Sequence, residues 1–254
     1  MSKNSTTKKA DQYNDPNHNY LHYWNGRDYE NEAERLAISR LLKGKHFRNA
    51  ADIGGGYGRL CVFLRGYADK VTLAEPSQKQ LDIGKEFLKD HPEIERTLMQ
   101  ADDLKFKDGE LDLITMIRVI HHLPEPSAEF KEMARVLADD GYIVLEVANN
   151  THIRNRMKYA LKGKRVPRQP VDIRTRKDDD VIDFVNHNPK TIIKQLAHAG
   201  LKVEKILSVS NLRSPGLKKV LPQGLMLAAE RVMQPTLARA YFGPSTFLLI
   251  KKAK

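Results

Sequence analysis

A single cysteine, Cys61, stands among the 254 residues, so no internal disulfide can form and a reducing cytoplasm is the expected setting. No run of eighteen apolar residues occurs, and no bilayer-spanning helix is expected. The opening MSKNSTTKKADQYNDPN is polar and lysine-rich, without the apolar stretch of a secretory signal. Cysteine and histidine do not cluster at ligand spacing, so no metal site is expected. There is no internal repeat. What is present suffices to bury a core: 41% of the residues are hydrophobic, and the length suits one large domain or one domain with insertions.

The formal net charge is +11, and the excess is local. From Thr151 to Lys177, ten Lys/Arg stand against one Asp, which leaves only +2 for the rest of the chain. Such a segment points to an anionic partner (a charged substrate, a nucleic acid or a membrane surface) or to a solvated helix face followed by a loop.

Apolar periodicity places a helix over Asn31–Gly44, with Ala33, Leu36, Ala37 and Leu41 on one face. NAADI opens a first strand, and RLCVFLRGYA reads as the helix after it. KVTLAE (70–75) is a second strand. Ser77 and Gln80 form a capping box for a helix to about Leu88. RTLMQA, LDLITMI and YIVLEVA are the third, fourth and fifth strands, with a helix from about Phe130 ending near Gly141. After Asn150 the alternation breaks, then resumes with a helix begun by Asn188-Pro189. KVEKILSV and TFLLIKK are the sixth and seventh strands. LKKVLPQGLMLAAERVM between them reads as a broken amphipathic helix. Alternating strands and helices imply an α/β, doubly wound sheet with helices on both faces. The expected organisation is an N-terminal tail and lid helix over 1–44, then one domain over 45–254 with insertions at about 151–187 and 211–243.

Four glycines fall in five positions where the first strand hands over to the first helix: Gly54, Gly55, Gly56 and Gly58. Backbone amides are unpaired at that junction, and the helix end carries partial positive charge, so an anionic group is the natural guest. The dinucleotide fingerprint G-x-G-x-x-G would need glycine at 59, where Arg59 stands. Glu75, followed by Pro76, ends the second strand. An acidic side chain at that place can accept both hydroxyls of a ribose.

The stretches ADIGGGYGRL, LAEPS, DLKFKDGELDLITMIRVIHHLPEP and EMARVLADDGYIVLEV resemble, in order and spacing, the motifs of class I S-adenosylmethionine-dependent methyltransferases, nearest the type 11, ubiquinone/menaquinone-biosynthesis-like branch. The resemblance covers roughly residues 49–148. It implies a Rossmann-like seven-stranded sheet of order 3-2-1-4-5-7-6 with the last strand antiparallel. It also implies S-adenosyl-L-methionine as cofactor. Asp52 would lie near the methionine amino group, and Gly54, Gly55 and Gly56 would let the methionyl part cross the turn. Glu75 and Pro76 would hold the ribose. Ala101 and Asp102, with Gln100 as rival, would face the adenine, and Met116 and Ile117 would pass beneath the cofactor. Gln100 stands where relatives often carry an acidic residue.

Methyl transfer from a sulfonium is an in-line displacement, and alignment can supply about 7–11 kcal/mol through effective molarity. A base is needed only where the acceptor must first lose a proton; of His121 and His122, His121 is the candidate. Tyr23, Trp24 and Arg27, ahead of the first helix, are candidates to cover the cofactor or to meet a carboxylate. The acceptor expected is a small molecule or lipid-like, and the basic 151–177 segment could meet an anionic group or a membrane surface. Two rival readings are a methyltransferase-like fold that binds without catalysis, and an RNA methyltransferase. The latter is less favoured, because no Asn/Asp-Pro-Pro-Tyr/Phe motif or cysteine-nucleophile motif is visible.

Overall fold

The computed structural model describes Tyr13, residues 20–173 and residues 183–253. Among the described residues nine strands occur in chain order: β1 (Phe47–Ile53), β2 (Ala68–Glu75), β3 (Glu95–Leu98), β4 (Leu111–Met116), β5 (Leu137–Ala148), β6 (Val171–Asp172), β7 (Val185–Asn186), β8 (Leu201–Val209) and β9 (Ser245–Lys252). The short strands β6 and β7 pair with each other as a separate ribbon. The other seven form the main sheet, of order β3-β2-β1-β4-β5-β9-β8, in which only β9 runs antiparallel to its neighbours. With the ribbon set aside, this is the expected 3-2-1-4-5-7-6 arrangement. The order reverses between β1 and β4, whose carboxyl ends therefore flank a crevice.

The central strands are apolar on both faces, as the near-continuous LDLITM of β4 requires. Successive residues feed opposite cores: Ala50, Leu113, Val144 and Leu249 face one, while Ala51, Ile114, Leu145 and Leu248 face the other. The first core is closed by α1 (Asp28–Leu41) and α8 (Gln223–Thr236), which pack together and against β8. The second is closed by α4 (Ser127–Val136) and α6 (Pro189–His198). The shorter helices are α2 (Cys61–Leu64), α3 (Gln78–Phe87), α5 (Ile153–Ala160) and α7 (Pro215–Val220). Among the described residues no helix is long and apolar enough to cross a membrane.

Several local expectations need correction. The helix after the glycine turn is a single turn, α2, because Gly66 follows it closely and β2 begins at Ala68. On α1, Ile38 rather than Leu36 joins Ala33, Ala37 and Leu41 in the core. Helix α4 stops at Val136, and Gly141 is not its stop but part of β5. A Cβ at Gly141 would meet the carbonyls of Ala138 and Asp112 at 3.1 Å each, where the β4–β5 register shifts. Half of the capping box forms: Ser77 Oγ accepts from Gln80 N at 3.2 Å, but the Gln80 side-chain amide donates to the Tyr13 carbonyl at 3.3 Å. At α6, Asn188 Oδ1 accepts from Lys190 N at 3.1 Å, as the sequence implies. The amphipathic segment between β8 and β9 breaks at Leu221-Pro222 into α7 and α8. The expected loose tail lies outside the described residues except for Tyr13, as do Arg174, Arg176 and Lys177 of the basic segment.

One buried carboxylate joins segments from opposite ends of the chain. Glu230 of α8 accepts from Tyr29 Oη at 2.7 Å, Ser210 N at 2.8 Å and Asn211 N at 3.1 Å. Burial holds its carboxyl above the usual range, and these three donors, with the Asn211 side-chain amide at 3.1 Å, pull the other way. Replacing Glu230 by Ala strands all three donors. Urea unfolding is expected to show a loss of about 3–5 kcal/mol, since unsatisfied buried groups cost about 1–3 kcal/mol each.

Candidate active site

The polypeptide leaves β1 through Gly54, Gly56 and Gly58, whose φ angles are +67°, +62° and +88°. These values favour glycine. Space is as restrictive as conformation. A Cβ at Gly54 would lie 2.6 Å from Val119 Cγ2, and one at Gly55 would lie 2.5 Å from Asp52 Oδ2. Asp52, one residue before the end of β1, pairs in register with Thr115 of β4. Thr115 Oγ1 donates to Asp52 Oδ1 at 2.6 Å. Burial pushes the Asp52 carboxyl up to about 6, against the opposing pull of Thr115 and Arg59.

Glu75, the last residue of β2, is buried. Its Oε2 accepts from Gly56 N at 2.8 Å and its Oε1 from Ser77 N at 3.0 Å. The turn and the second strand end are thus tied into one unit by a carboxylate between two backbone amides.

A cavity of about 900 Å³ opens over these groups. Asp52 and Gly54, Gly55 and Gly56 border it, as do Glu75 and Pro76. Gln100, Ala101, Asp102 and Ile117 border it too. Met116 does not: it is fully buried in the core with Ile114, because side chains alternate along β4. Trp24 borders the cavity, whereas Tyr23 and Arg27 do not. The Tyr23 ring meets Trp24 edge-on, and Arg27 lies 4.0 Å over the Tyr23 ring.

The histidine pair divides. His121 points inward, its ring 4.3 Å from that of Phe184, and does not border the cavity. Burial, with His122, Arg118 and His187 nearby, holds it well below the usual imidazole range, so it is neutral. His122 borders the cavity. Its Nδ1 lies 2.8 Å from the Asp183 carbonyl, which can only accept, so Nδ1 carries the proton and Nε2 accepts from Tyr13 Oη at 2.9 Å.

The sequence reading missed Arg59, Arg118 and Glu34. Arg59 and Arg118 border the cavity. Glu34, on α1, is 1% exposed and takes Arg59 on Oε2 at 2.7 Å and Arg118 on Oε1 at 2.6 Å. Arg118 follows β4 at φ +63°, a conformation that costs a non-glycine residue about 1–3 kcal/mol. Its backbone N donates to Glu146 Oε2 at 3.2 Å, so bonds at both the backbone and the side chain oppose relaxation. No local spacing reveals this cluster, since its members come from three distant segments. Among the described residues, no group of three or more acidic, histidine or cysteine side chains is placed to hold a metal.

Comparison with known proteins agrees with the geometry. A family model described as a methyltransferase domain matches residues 12–206. A ubiquinone/menaquinone biosynthesis C-methyltransferase of Shewanella woodyi is 27% identical over 154 residues, covering 55% of this chain and 61% of that protein. A demethylmenaquinone methyltransferase of Staphylococcus saprophyticus is 33% identical over 121 residues, covering 46% and 52%. The chain spans about half the length of the curated relatives it matches. Among solved structures, a Thermotoga maritima SAM-dependent methyltransferase shares the fold with a TM-score of 0.64 at 18% identity, covering 92% of this chain and 94% of that one. An S-adenosylmethionine-dependent methyltransferase of Mesorhizobium loti does so at a TM-score of 0.57 and 16% identity, covering 87% and 98%. With the family model covering most of its length, the chain belongs to the methyltransferase domain family.

Proposed function

We propose that this protein transfers a methyl group from S-adenosylmethionine to a small-molecule or lipid-like acceptor in the cavity over the β1 turn. The observation that carries the reading is the Glu75 carboxylate, fixed between Gly56 N and Ser77 N at the border of the cavity. The donor set fits the cofactor. Asp52 suits an ammonium and Glu75 suits ribose hydroxyls, whereas the amides of Gly54, Gly56 and Gly58 are spent on Ala74 O, Glu75 Oε2 and Gly55 O, against the expectation that the turn leaves them unpaired. Gln100, Ala101 and Asp102 border the space where the adenine would lie.

When bound, the cofactor supplies a methyl group already activated on a sulfonium. The chain's own work is to orient the partners and to exclude water. Where the acceptor must lose a proton, His122 Nε2 is the candidate to take it by way of the Tyr13 hydroxyl hydrogen-bonded to it, with the tautomer fixed by the Asp183 carbonyl; this moves the base role from His121 to its neighbour. The named activities of the Shewanella and Staphylococcus relatives support a quinone-like acceptor and methylation at carbon. Exposed Met157 and Leu161, set among Arg154, Lys158 and Lys162, support contact of the basic segment with an anionic membrane surface, where such an acceptor would be found.

Isothermal titration with S-adenosylhomocysteine tests the reading: the wild-type protein is expected to bind one equivalent, and absence of binding would refute it. Glu75→Ala is expected to weaken that affinity about 10–100-fold, the equivalent of losing charged hydrogen bonds of about 1.5–3 kcal/mol. The pH dependence has a definite sign. Below about 6 the Asp52 carboxyl is protonated and no longer attracts an ammonium, so affinity falls as pH falls through that value. Asp52→Asn should bind weakly and with this pH dependence removed, which titrations between about pH 5 and pH 8 would show.

A further inference from the structure

Another cavity, of about 680 Å³, is lined from α1, α2 and α8, and none of its residues borders the cleft over the β1 turn. Leu36, Phe63 and Leu227 supply its apolar surface. Phe63 and Leu227 are partly buried against the first core. Leu36, which apolar periodicity assigns to the core face of α1, lines this groove instead. Arg35, Arg40, Lys43 and Arg231 line it too, against a single acidic residue, Glu32.

That carboxylate is already engaged. Glu32 Oε1 accepts from Asn31 Nδ2 at 3.1 Å and from Arg35 Nη1 at 3.5 Å, and the Arg35 guanidinium lies 4.8 Å over the Phe63 ring. Arg35 is therefore part of the wall. The other three cations have no carboxylate partner among the described residues. Arg40 Nη2 donates to the Arg231 carbonyl at 2.7 Å, which ties α1 to α8 at the groove but neutralises neither charge. Arg40 and Lys43 stand at the C-terminal end of α1, where cations complement the helix dipole. That accounts for two charges on one helix, but not for Arg231, brought to the same groove from another. Like charges gathered without a counter-ion repel one another, and an anion seated among them would remove that cost.

We infer that this groove binds a soluble phosphate monoester with a small aromatic or short alkyl body. Arg40, Lys43 and Arg231 take the phosphate, and Leu36, Phe63 and Leu227 receive the body. Arginine forks and the lysine point charge both suit phosphate oxygens. A phosphate monoester carries about 1.5 to 2 negative charges at neutral pH, a closer match to three cations than a carboxylate offers. The groove's volume falls within the range of small-molecule sites, about 300–1,000 Å³, and an apolar lining with a few polar groups is their usual make-up. The inference is independent of the proposed methyl transfer, since the two cavities share no residue.

The test titrates the full chain with phenyl phosphate and hexyl phosphate by ligand-observed NMR. Phenol, hexanol and inorganic phosphate serve as the separate halves of each probe. Each ester is expected to bind with a Kd below about 1 mM, at least about tenfold more tightly than either of its halves. Lys43→Gln combined with Arg231→Gln should weaken the esters about tenfold or more. Both side chains are exposed, so the melting temperature of that double variant should not fall. Leu36→Gln should bring the esters down to the affinity of inorganic phosphate. Inorganic phosphate bound as tightly as the esters would mark an adventitious ion only and overturn the inference. Ester affinity untouched by the double variant would place the probes elsewhere and overturn it as well. A further arm uses vesicles of phosphatidic acid in phosphatidylcholine. Retention on them that the double variant abolishes, with no binding of the soluble esters, would assign the groove to a lipid surface and refute the soluble ligand.

Discussion

The cleft depends on one carboxylate between two backbone amides. Glu75 receives Gly56 N–H and Ser77 N–H, so the turn after β1 and the exit from β2 hold a fixed relation. Neither partner would suffice alone. A glycine turn without an anchor has the conformational freedom that makes glycine costly to order. A buried glutamate without donors would lose its charge. Joined, they border the cavity where the sheet order reverses.

That junction is held by the packing beneath it. The strands β1, β4 and β5 send alternate residues into two cores, and α1 with α8 covers one of them. Helix α1 serves the cleft as well as the core, since its Glu34 fixes Arg59 and Arg118. The same helix is tied to α8 and the β8 exit through Tyr29 and Glu230. Packing on one side of α1 therefore sets the position of charges on another.

The fold was largely legible because hydrophobic runs, caps and turns are local signals. The apolar LDLITM, the Asn188-Pro189 cap and the break at Pro222 each appear where their residue types demand. Boundaries failed where tertiary contacts decided them. Gly141 reads as a helix stop, but the close approach of the Ala138 and Asp112 carbonyls makes it a glycine of β5. In the cleft, the turn glycines and Glu75 could be located because their spacing follows the strand–turn–helix geometry. The facing of the two adjacent histidines could not, since a short 3₁₀ turn sends His121 inward and His122 to the cavity. The Arg59–Glu34–Arg118 cluster joins residues far apart in the chain, which no sequence periodicity encodes.

A crystal structure of the complex with S-adenosylhomocysteine tests the central claim most directly. The account predicts both ribose hydroxyls within hydrogen-bonding distance of the Glu75 carboxylate, with the amino-acid end across Gly54–Gly56 and its ammonium toward Asp52. A nucleoside bound elsewhere, or a Glu75 carboxylate that makes no contact with the ribose, would contradict it.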